Sequence, residues 1–461
     1  MSNRTERDSA EGEFFIENQQ SKLTYRLSKD RLKTMKNNMK KTVLPNGMRI
    51  LTLPMKSRQG VAAGVWIDSG SRDDPHGKEG ISHLTEHMIF KGTPSRSALD
   101  IARQLESVGG SEDGYTSHEE TCYYFYLPGD EIELGMDILG DMISNPSIDA
   151  DLFKREISVV SSEIGDVEDS PQQVARELFS KAVFVDHPLG KPILGYPATL
   201  NSFRPNDVVD FLKDEYIAPK LVLAAVGNIE HERFCDLASR YFDIRNEGTP
   251  QVRTSPSPID VGSLEIVRKD TSQFSIFIGG QSFAFEDKRR YPLAVLDTIL
   301  GRGASSLLFQ RIREEAGIGY RIYSFGEYFS DSGLWGIFAS IEPSDTNRFF
   351  DLAQGVFDEL IDGGIIRERF DDTLRGLIGK TKLENDSVSS LLARLVETEL
   401  YEGKYISLGE TLEKLSAIAP EDVIEIAHEL FRPGRMTGVC LGPPGFDISP
   451  DWLDISEDKV A

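Results

Sequence analysis

A weak internal repeat constrains the fold of this 461-residue chain more than any other feature. In each half, paired strands lead into a helix, and a second helix leads into another strand pair. The halves close alike, with PNDVVDFLKDEYIAPKLVLAAVGNI in the first and PEDVIEIAHELFRPGRMTGVCLGPP in the second. Because strands and helices do not alternate strictly, the pattern predicts an α+β fold of two similar domains. Each domain is expected to be a mixed or antiparallel sheet with helices packed on one face.

The repeat and the composition together set the predicted domain boundaries. They are a polar N-terminal extension at 1–40, a first domain at 41–244, a linker at 245–260, a second domain at 261–446 and an acidic C-terminal tail at 447–461. The linker assignment rests on a stretch rich in proline, serine and glycine. A cleft between two such domains is the expected ligand site.

The amino-acid composition of the chain argues against several classes of binding partner and of site. The net charge of −24 argues against nucleic acid or an anionic membrane surface as the main partner. The three cysteines lie far apart, which argues against a disulfide framework or a thiolate zinc site. No apolar run approaches the length of a membrane span, and the N-terminus carries neither the apolar stretch of a secretory signal nor the acid-poor pattern of a transit peptide. The sequence therefore predicts a cytoplasmic protein without membrane insertion.

The segment ISHLTEHMIFKGT, residues 81–93, places His83, Glu86 and His87 within five positions of one another. On a helix, residues four apart lie on the same face, so the two imidazoles can point at one spot. Two imidazoles suit Zn²⁺, and a neighbouring carboxylate can take a proton from water. The pattern is short, however, and it also fits two histidines on a solvated helix face.

The repeat discriminates between these interpretations. Aligning the KG and RG dipeptides that follow the corresponding helices places Ala294, Asp297 and Thr298 opposite the three residues. One copy of the fold thus forms this helix without the histidines, which favours chemistry over packing. The second domain is accordingly predicted to lack metal ligands.

A helix further along contains Glu156 and Glu163, seven positions apart and hence on one face. With these residues the chain resembles the pitrilysin-type zinc metallopeptidases, the inverzincins with an HxxEH motif, and most closely the bacterial branch related to the mitochondrial processing peptidase β-subunit. The resemblance runs from about residue 43 to 446. The matching pieces include LPNGMRI, GSRDDP, GISHLTEHMIFKGT, YTSHEETCYYFYL, EISVVSSEI and YFSDSGLWGI.

The resemblance implies a zinc-dependent endopeptidase that hydrolyses peptides or unfolded segments. According to this resemblance, zinc would be bound by His83, His87 and Glu163. Glu86 would be the general base, and Glu156 would support the ligands from outside the coordination sphere. The repeat adds an independent observation, since Lys380 stands opposite Glu163 and would repel a cation.

The resemblance also places substrate binding on the strand GYTSHEETCYYFYL, to which an extended peptide would add as a further strand. The expected contacts are Asp113, Gly114, Tyr115 and Thr116. The family usually has Asn-Ala where this chain has Asp113-Gly114, so that asparagine has no counterpart here. His118 is expected to be a surface side chain.

One departure from the family pattern concerns the second domain, where relatives place an arginine and a tyrosine over the substrate. Tyr320 stands at the tyrosine position, but Leu307 occupies the arginine position. A leucine cannot donate a charge-assisted hydrogen bond to a peptide carbonyl. Three alternatives stay open: zinc and Tyr320 suffice, a partner subunit supplies the arginine and tyrosine, or the chain is a non-catalytic peptide-binding or assembly subunit. A homodimer, or a heterodimer with an arginine- and tyrosine-bearing homologous subunit, is expected.

Overall fold

Two six-stranded sheets, in which five strands follow the same order, form the framework of the computed structural model, which describes residues 38–244, 248–258 and 262–460. The sixth strand, at the edge, is the first strand of the first half and the last strand of the second half. The strands of the first sheet are β1 (Lys40–Val43), β2 (Arg49–Pro54), β3 (Gly60–Ile67), β4 (Ser111–Thr116), β5 (Thr121–Pro128) and β6 (Leu221–Gly227). Those of the second are β7 (Leu264–Arg268), β8 (Phe274–Ser282), β9 (Arg321–Tyr328), β10 (Gly333–Ile341), β11 (Thr437–Gly442) and β12 (Ile455–Val460).

The α-helices divide between the halves in the same way. The first half contains α1 (Ile81–Ile89), α2 (Ala98–Ser107), α3 (Ile132–Ser144), α4 (Ala150–Glu168), α5 (Pro171–Phe184), α6 (Pro197–Ser202), α7 (Pro205–Glu215) and α8 (His231–Tyr241). The second contains α9 (Arg290–Gly301), α10 (Thr346–Asp362), α11 (Arg367–Glu384), α12 (Val388–Glu402), α13 (Leu408–Ser416) and α14 (Pro420–Leu430). A π-helical segment spans Phe309–Glu315.

The strand orders confirm the predicted repeat. The first sheet runs β1-β2-β6-β3-β5-β4, and the second runs β12-β7-β11-β8-β10-β9. Both sheets are mixed, since β2 pairs parallel with β6 and β7 parallel with β11, while the neighbouring pairs β3–β6 and β8–β11 are antiparallel. Strand β6 (LVLAAVG) is buried along its whole length, as expected of a central strand covered on both faces. The predicted α+β fold of two similar domains is therefore confirmed.

Each sheet has its own helices on one face and a helix of the other half on the opposite face. Helix α12 of the second half packs on the outer face of the first sheet through leucines such as Leu391 and Leu395, which contact a cluster that includes Trp66 and Val222. Helix α5 of the first half packs in the same way on the second sheet. The two halves thus exchange one helix each, and their cores depend on one another.

The exchanged helices begin in matching ways. Ser170 caps α5 by accepting a hydrogen bond from the amide of Gln173, and Ser387 caps α12 by accepting one from Ser390. Within α5, Phe179 is fully buried and stacks on Phe277 of β8 with ring centroids 5.7 Å apart. These local signals fix where each helix starts and which face turns to the other sheet.

The structure describes only part of the predicted extension and linker, and it corrects the predicted tail. Of the extension at 1–40, residues 1–37 lie outside the described residues, as do 245–247 and 259–261 in and beside the predicted linker. The tail predicted at 447–461 is corrected: β12 pairs in parallel with β7 and forms the edge of the second sheet. Its polar sequence resembles a tail because an edge strand with solvent on one side needs few apolar residues. Within the described residues, no helix combines the length and apolarity needed to cross a bilayer.

Candidate metal centre

The histidine-bearing helix α1 begins at a tightly packed turn. Gly80 precedes it with φ of +95°, and a Cβ atom there would lie 2.5 Å from the carbonyl oxygen of Leu194, so only glycine fits. The Asp74 carboxylate accepts hydrogen bonds from the backbone amides of Gly80 (2.6 Å) and Ser82 (3.1 Å). These two hydrogen bonds satisfy backbone amides at the start of α1 and hold it in place.

The structure brings the three predicted ligands together. The Glu163 Oε2 atom of α4 lies 3.7 Å from His83 Nε2 and 3.6 Å from His87 Nε2. The candidate ligand atoms of the three residues all lie within 4.8 Å of one another. In the part of the chain that the structure describes, they are the one such group of histidine, cysteine or acidic side chains.

Behind the ligands, Glu156 connects His87 to a lysine. Nδ1 of His87 lies 3.1 Å from Oε2 of Glu156, whose other oxygen lies 3.0 Å from the Lys91 ammonium. A histidine that donates from Nδ1 keeps the lone pair of Nε2 free for a metal. The sequence predicted Glu156 as a supporting residue, but it did not lead us to Lys91. The available signal was that Lys91 is the first basic residue after His87.

The three residues fit zinc in chemistry and in spacing. Two imidazoles and one carboxylate form a common zinc ligand set, and a tetrahedral zinc ion separates such ligand atoms by about 3.3–3.5 Å. The observed separations of 3.6 and 3.7 Å need only a small inward movement of the side chains. Burial, with the nearby His87, lowers the pKa of His83 to about 3, so this imidazole is neutral at pH 7, the form that binds metal.

Glu86 lies next to the ligands and is poised to exchange a proton. Its side chain is buried, and its Oε2 accepts a hydrogen bond of 3.0 Å from the Thr116 hydroxyl. Burial raises the pKa of Glu86, an effect that the hydrogen bond from Thr116 and the nearby His87 partly oppose. A carboxylate with a raised pKa is a better general base near neutral pH.

A cavity of about 980 Å³ opens beside these residues and is lined by both halves of the molecule. His83 and Glu86 form part of its wall, with Gly114, Tyr115 and Thr116 of the edge strand β4. From the second half, residues 326–329, at the end of β9 and in the turn after it, lie across the cavity. Because β4 pairs with β5 on one side only, its other backbone edge is open to an added strand.

The four predicted substrate-contact residues do not all line the cavity. Gly114 has no room for a side chain, since a Cβ atom would lie 2.8 Å from the Phe90 ring. Asp113 is not among the residues lining the cavity; it accepts a hydrogen bond from the Tyr124 hydroxyl instead. His118 does line the cavity, contrary to the expectation of a surface side chain, and its Nδ1 lies 3.0 Å from the Ser71 hydroxyl. The strand pattern could not reveal this, because His118 belongs to the turn after β4.

Several carboxyl groups in the cavity wall are held away from water. Burial, with smaller contributions from nearby carboxylates such as Glu397, raises the pKa of Glu120 to about 7. Burial raises the pKa of Glu177 to about 6, and the charge of Glu168 contributes in the same direction. The wall therefore gains negative charge between pH 6 and 8.

The two second-domain positions of interest lie apart from the metal ligands. Leu307 is buried in the core of the second half, packed among apolar side chains. Tyr320 is 72% exposed, lies beside the Arg313 guanidinium, and is not among the residues that line the cavity. A role for Tyr320 over a substrate stays a prediction.

At the equivalent place in the second half, neither histidine has a counterpart, and a lysine stands opposite Glu163. Asp297, opposite Glu86 in the repeat, is buried and accepts a hydrogen bond from Arg302. Lys380, opposite Glu163, adds a second positive charge near this carboxylate. The second half thus neutralises its buried acid with its own cations.

Comparison with known proteins places the chain in a family. Residues 49–197 match the model of insulinase (peptidase family M16), and residues 202–377 match that of the peptidase M16 inactive domain. An uncharacterized zinc protease of Streptomyces coelicolor is 30% identical over 413 residues, 88% of this chain and 90% of that protein. An uncharacterized zinc protease of Bacillus subtilis is 32% identical over 394 residues, 85% of this chain and 96% of that protein.

Solved structures agree on the fold. A protease from Helicobacter pylori superimposes with a TM-score of 0.83 at 21% identity, covering 88% of this chain and 99% of that one. A Pseudomonas fluorescens structure described as a peptidase M16 inactive domain gives a TM-score of 0.84 at 18% identity, covering 89% and 100%. The repeated fold with one metal centre defines the class of pitrilysin-type proteins. Within it, the chain belongs to peptidase family M16.

Proposed function

We propose that this protein is a zinc-dependent endopeptidase that hydrolyses peptides or unfolded segments in the cavity beside α1. The observation that carries the proposal is the convergence of His83, His87 and Glu163, with Glu86 buried next to them and facing the same cavity. The names of the relatives, uncharacterized zinc proteases, support the same class of activity.

Each residue of the site has a separate role in the proposed hydrolysis. His83, His87 and Glu163 would hold zinc, which when bound would supply Lewis-acid chemistry toward water and the peptide carbonyl. Glu86 takes the proton of the attacking water on a carboxylate oxygen and then delivers it to the leaving amine. Thr116 orients that carboxylate through its hydroxyl, and Glu156 fixes the ring of His87.

Strand β4 would hold the substrate. An extended peptide that pairs with its free edge places backbone carbonyls along the cavity wall, next to Thr116 and hence close to Glu86. Since this recognition uses backbone hydrogen bonds, it requires an unfolded or extended substrate and tolerates many side chains.

The test uses the full-length protein purified alone, with zinc quantified by elemental analysis and cleavage of a quenched, unstructured peptide followed. We expect near-stoichiometric zinc and turnover that is lost in Glu86→Gln. The matched control is Glu232→Gln, the same substitution at a carboxylate on α8 that pairs with Lys40 on the surface. Absence of zinc from the purified protein, or equal turnover in Glu86→Gln and the parent, would refute the proposal.

A second candidate is favoured by Leu307 and Tyr320: Leu307 is buried, Tyr320 does not line the cavity, and none of the described residues that line it is an arginine of the second half. In that case the chain would act as a peptide-binding or assembly subunit, or would need a homologous partner that supplies both residues. Zinc without turnover by the protein alone, and turnover once a homologous subunit is added, would favour this candidate. Light scattering would distinguish a homodimer from a monomer awaiting such a partner.

A further inference from the structure

Two turns of the same kind meet where the halves of the molecule join. Residues 117–120 connect β4 to β5, and residues 329–332 connect β9 to β10. In each turn the first residue donates its backbone amide to the carbonyl of the fourth, at 2.8 Å in both cases. Glu119 and Asp331 therefore occupy equivalent third positions of two repeat-related turns.

A single arginine joins the two acidic residues. Nη1 of Arg72 lies 2.6 Å from Oε1 of Glu119 and 2.8 Å from Oδ1 of Asp331, while Nη2 lies 2.7 Å from the other Asp331 oxygen. Ser330 completes the contact by donating its backbone amide and its hydroxyl to Glu119, at 2.7 and 2.6 Å. We call these four residues the turn junction.

The turn junction is nearly closed to water. The side chains of Arg72 and Glu119 are 2% and 1% exposed, and that of Asp331 is 21% exposed. Burying charges is costly, and an apolar contact of similar size often gives equal or greater stability. A buried ionic contact between the halves therefore points to a need for defined geometry rather than for adhesion alone.

The geometry it defines is that of the candidate catalytic base. The turn holding Glu119 directly follows β4, and its backbone is held a second time, because the amides of Ser71 and Arg72 donate to the carbonyls of Ser117 and His118. The last residue of β4, Thr116, donates its hydroxyl to Glu86. A displacement of this turn would therefore move both the open edge of β4 and the hydroxyl that orients Glu86.

We infer that the turn junction is a positioning device through which the second half sets the geometry of β4 and Glu86. Asp331 and Ser330 are positioning residues: they touch neither the metal ligands nor Glu86 and act through Glu119. The inference rests on the proposed function for its kinetic consequence, but its structural consequence, a fixed β4–β5 turn, can be measured without any turnover.

The test compares two carboxylates, each in an ion pair that joins the halves. Asp331→Asn removes a charge from the turn junction. Glu399→Gln removes one from the ion pair with Lys41 of β1, where Lys41 Nζ lies 2.7 and 2.8 Å from the two Glu399 oxygens. Glu399 also lies 3.5 Å from the Arg49 guanidinium of β2. Strands β1 and β2 lie at the opposite edge of the first sheet from β4, so the second variant reports the loss of inter-half ion pairing away from β4.

We expect both variants to lower the melting temperature and to keep their zinc, but only Asp331→Asn to lower kcat, by about tenfold, because small misplacements of catalytic groups are costly. Asp331→Glu should recover part of the loss. Hydrogen exchange at residues 111–121 should quicken in Asp331→Asn and stay unchanged in Glu399→Gln. If Asp331→Asn fails to fold, Ser330→Ala provides the same comparison with a single hydroxyl removed.

The inference would be overturned by unchanged exchange at residues 111–121 in Asp331→Asn, or by equal kinetic losses in the two variants. An inactive parent protein would refute the proposed function instead. In that event the exchange measurement alone still decides whether the second half fixes the β4–β5 turn.

Discussion

Replacing Glu156 by alanine should weaken zinc binding without touching a ligand. The bond from His87 Nδ1 to Glu156 is 3.1 Å long, and the two side chains are 17% and 7% exposed, so solvent screens it little. A hydrogen bond to a charged group of this kind contributes about 1.5–3 kcal/mol. The zinc dissociation constant should therefore rise by about 10- to 100-fold, the usual effect of losing such a supporting carboxylate.

The assay is competition between the protein and a chelator of known affinity, with bound zinc read by elemental analysis. Glu156→Gln keeps an acceptor oxygen and loses the charge, so its effect should be smaller than that of alanine. Lys91→Met leaves the Glu156 carboxylate in place and removes only its cation. It should therefore also weaken zinc binding less than Glu156→Ala does. An alanine variant whose zinc affinity stays within about twofold of the parent would refute the assigned supporting role.

Three further predictions concern stability. Phe179→Ala should lower the free energy of unfolding by about 3–5 kcal/mol, because it removes the side chain that packs α5 on the second sheet. Lys181→Ala, on the exposed side of the helix, should change that free energy little. Equal effects of the two substitutions in urea unfolding would contradict this prediction. Burial raises the pKa of Asp74 to about 7, so its contribution is complete below pH 4 and is lost as the pH rises through 7. The stability of the parent relative to Asp74→Asn should fall by up to about 4 kcal/mol from pH 4 to pH 8, and a pH-independent difference would refute it. Leu307→Arg should lower the melting temperature rather than create activity, since it places a charge in an apolar core; a stable variant with higher peptide turnover would show otherwise.

Local periodicity and the family resemblance together predicted the group of His83, His87 and Glu163 that the structure brings together. His83 and His87 lie one helical turn apart and Glu156 and Glu163 two turns apart, so their common faces follow from the helix alone. The repeat supplied what periodicity lacks, because it showed which residues the fold does not need. Asp297 and Lys380, placed opposite Glu86 and Glu163 from the sequence, lie near one another in the structure.

The contacts between the halves could not be predicted in this way. The amphipathic pattern of α5 and α12 indicates that each buries a face, but not that the covering sheet belongs to the other half. Arg72 and Glu119 follow strands and resemble surface charges, because charged residues are seldom buried. Their burial depends on a turn more than 200 residues away in the chain, which no local pattern records.

The exchange of α5 and α12 has a consequence for how the chain can be synthesised. The last strand of the first sheet ends at Gly227, but the helix that covers its outer face is complete only at Glu402. Translation at 5–20 residues per second takes about 9–35 s to produce the roughly 175 residues between them. During that interval the nascent first half presents an apolar sheet surface to solvent or to a chaperone. Because each sheet is covered by a helix of the other half, we expect that neither half would fold alone and that the two halves, produced separately, would aggregate.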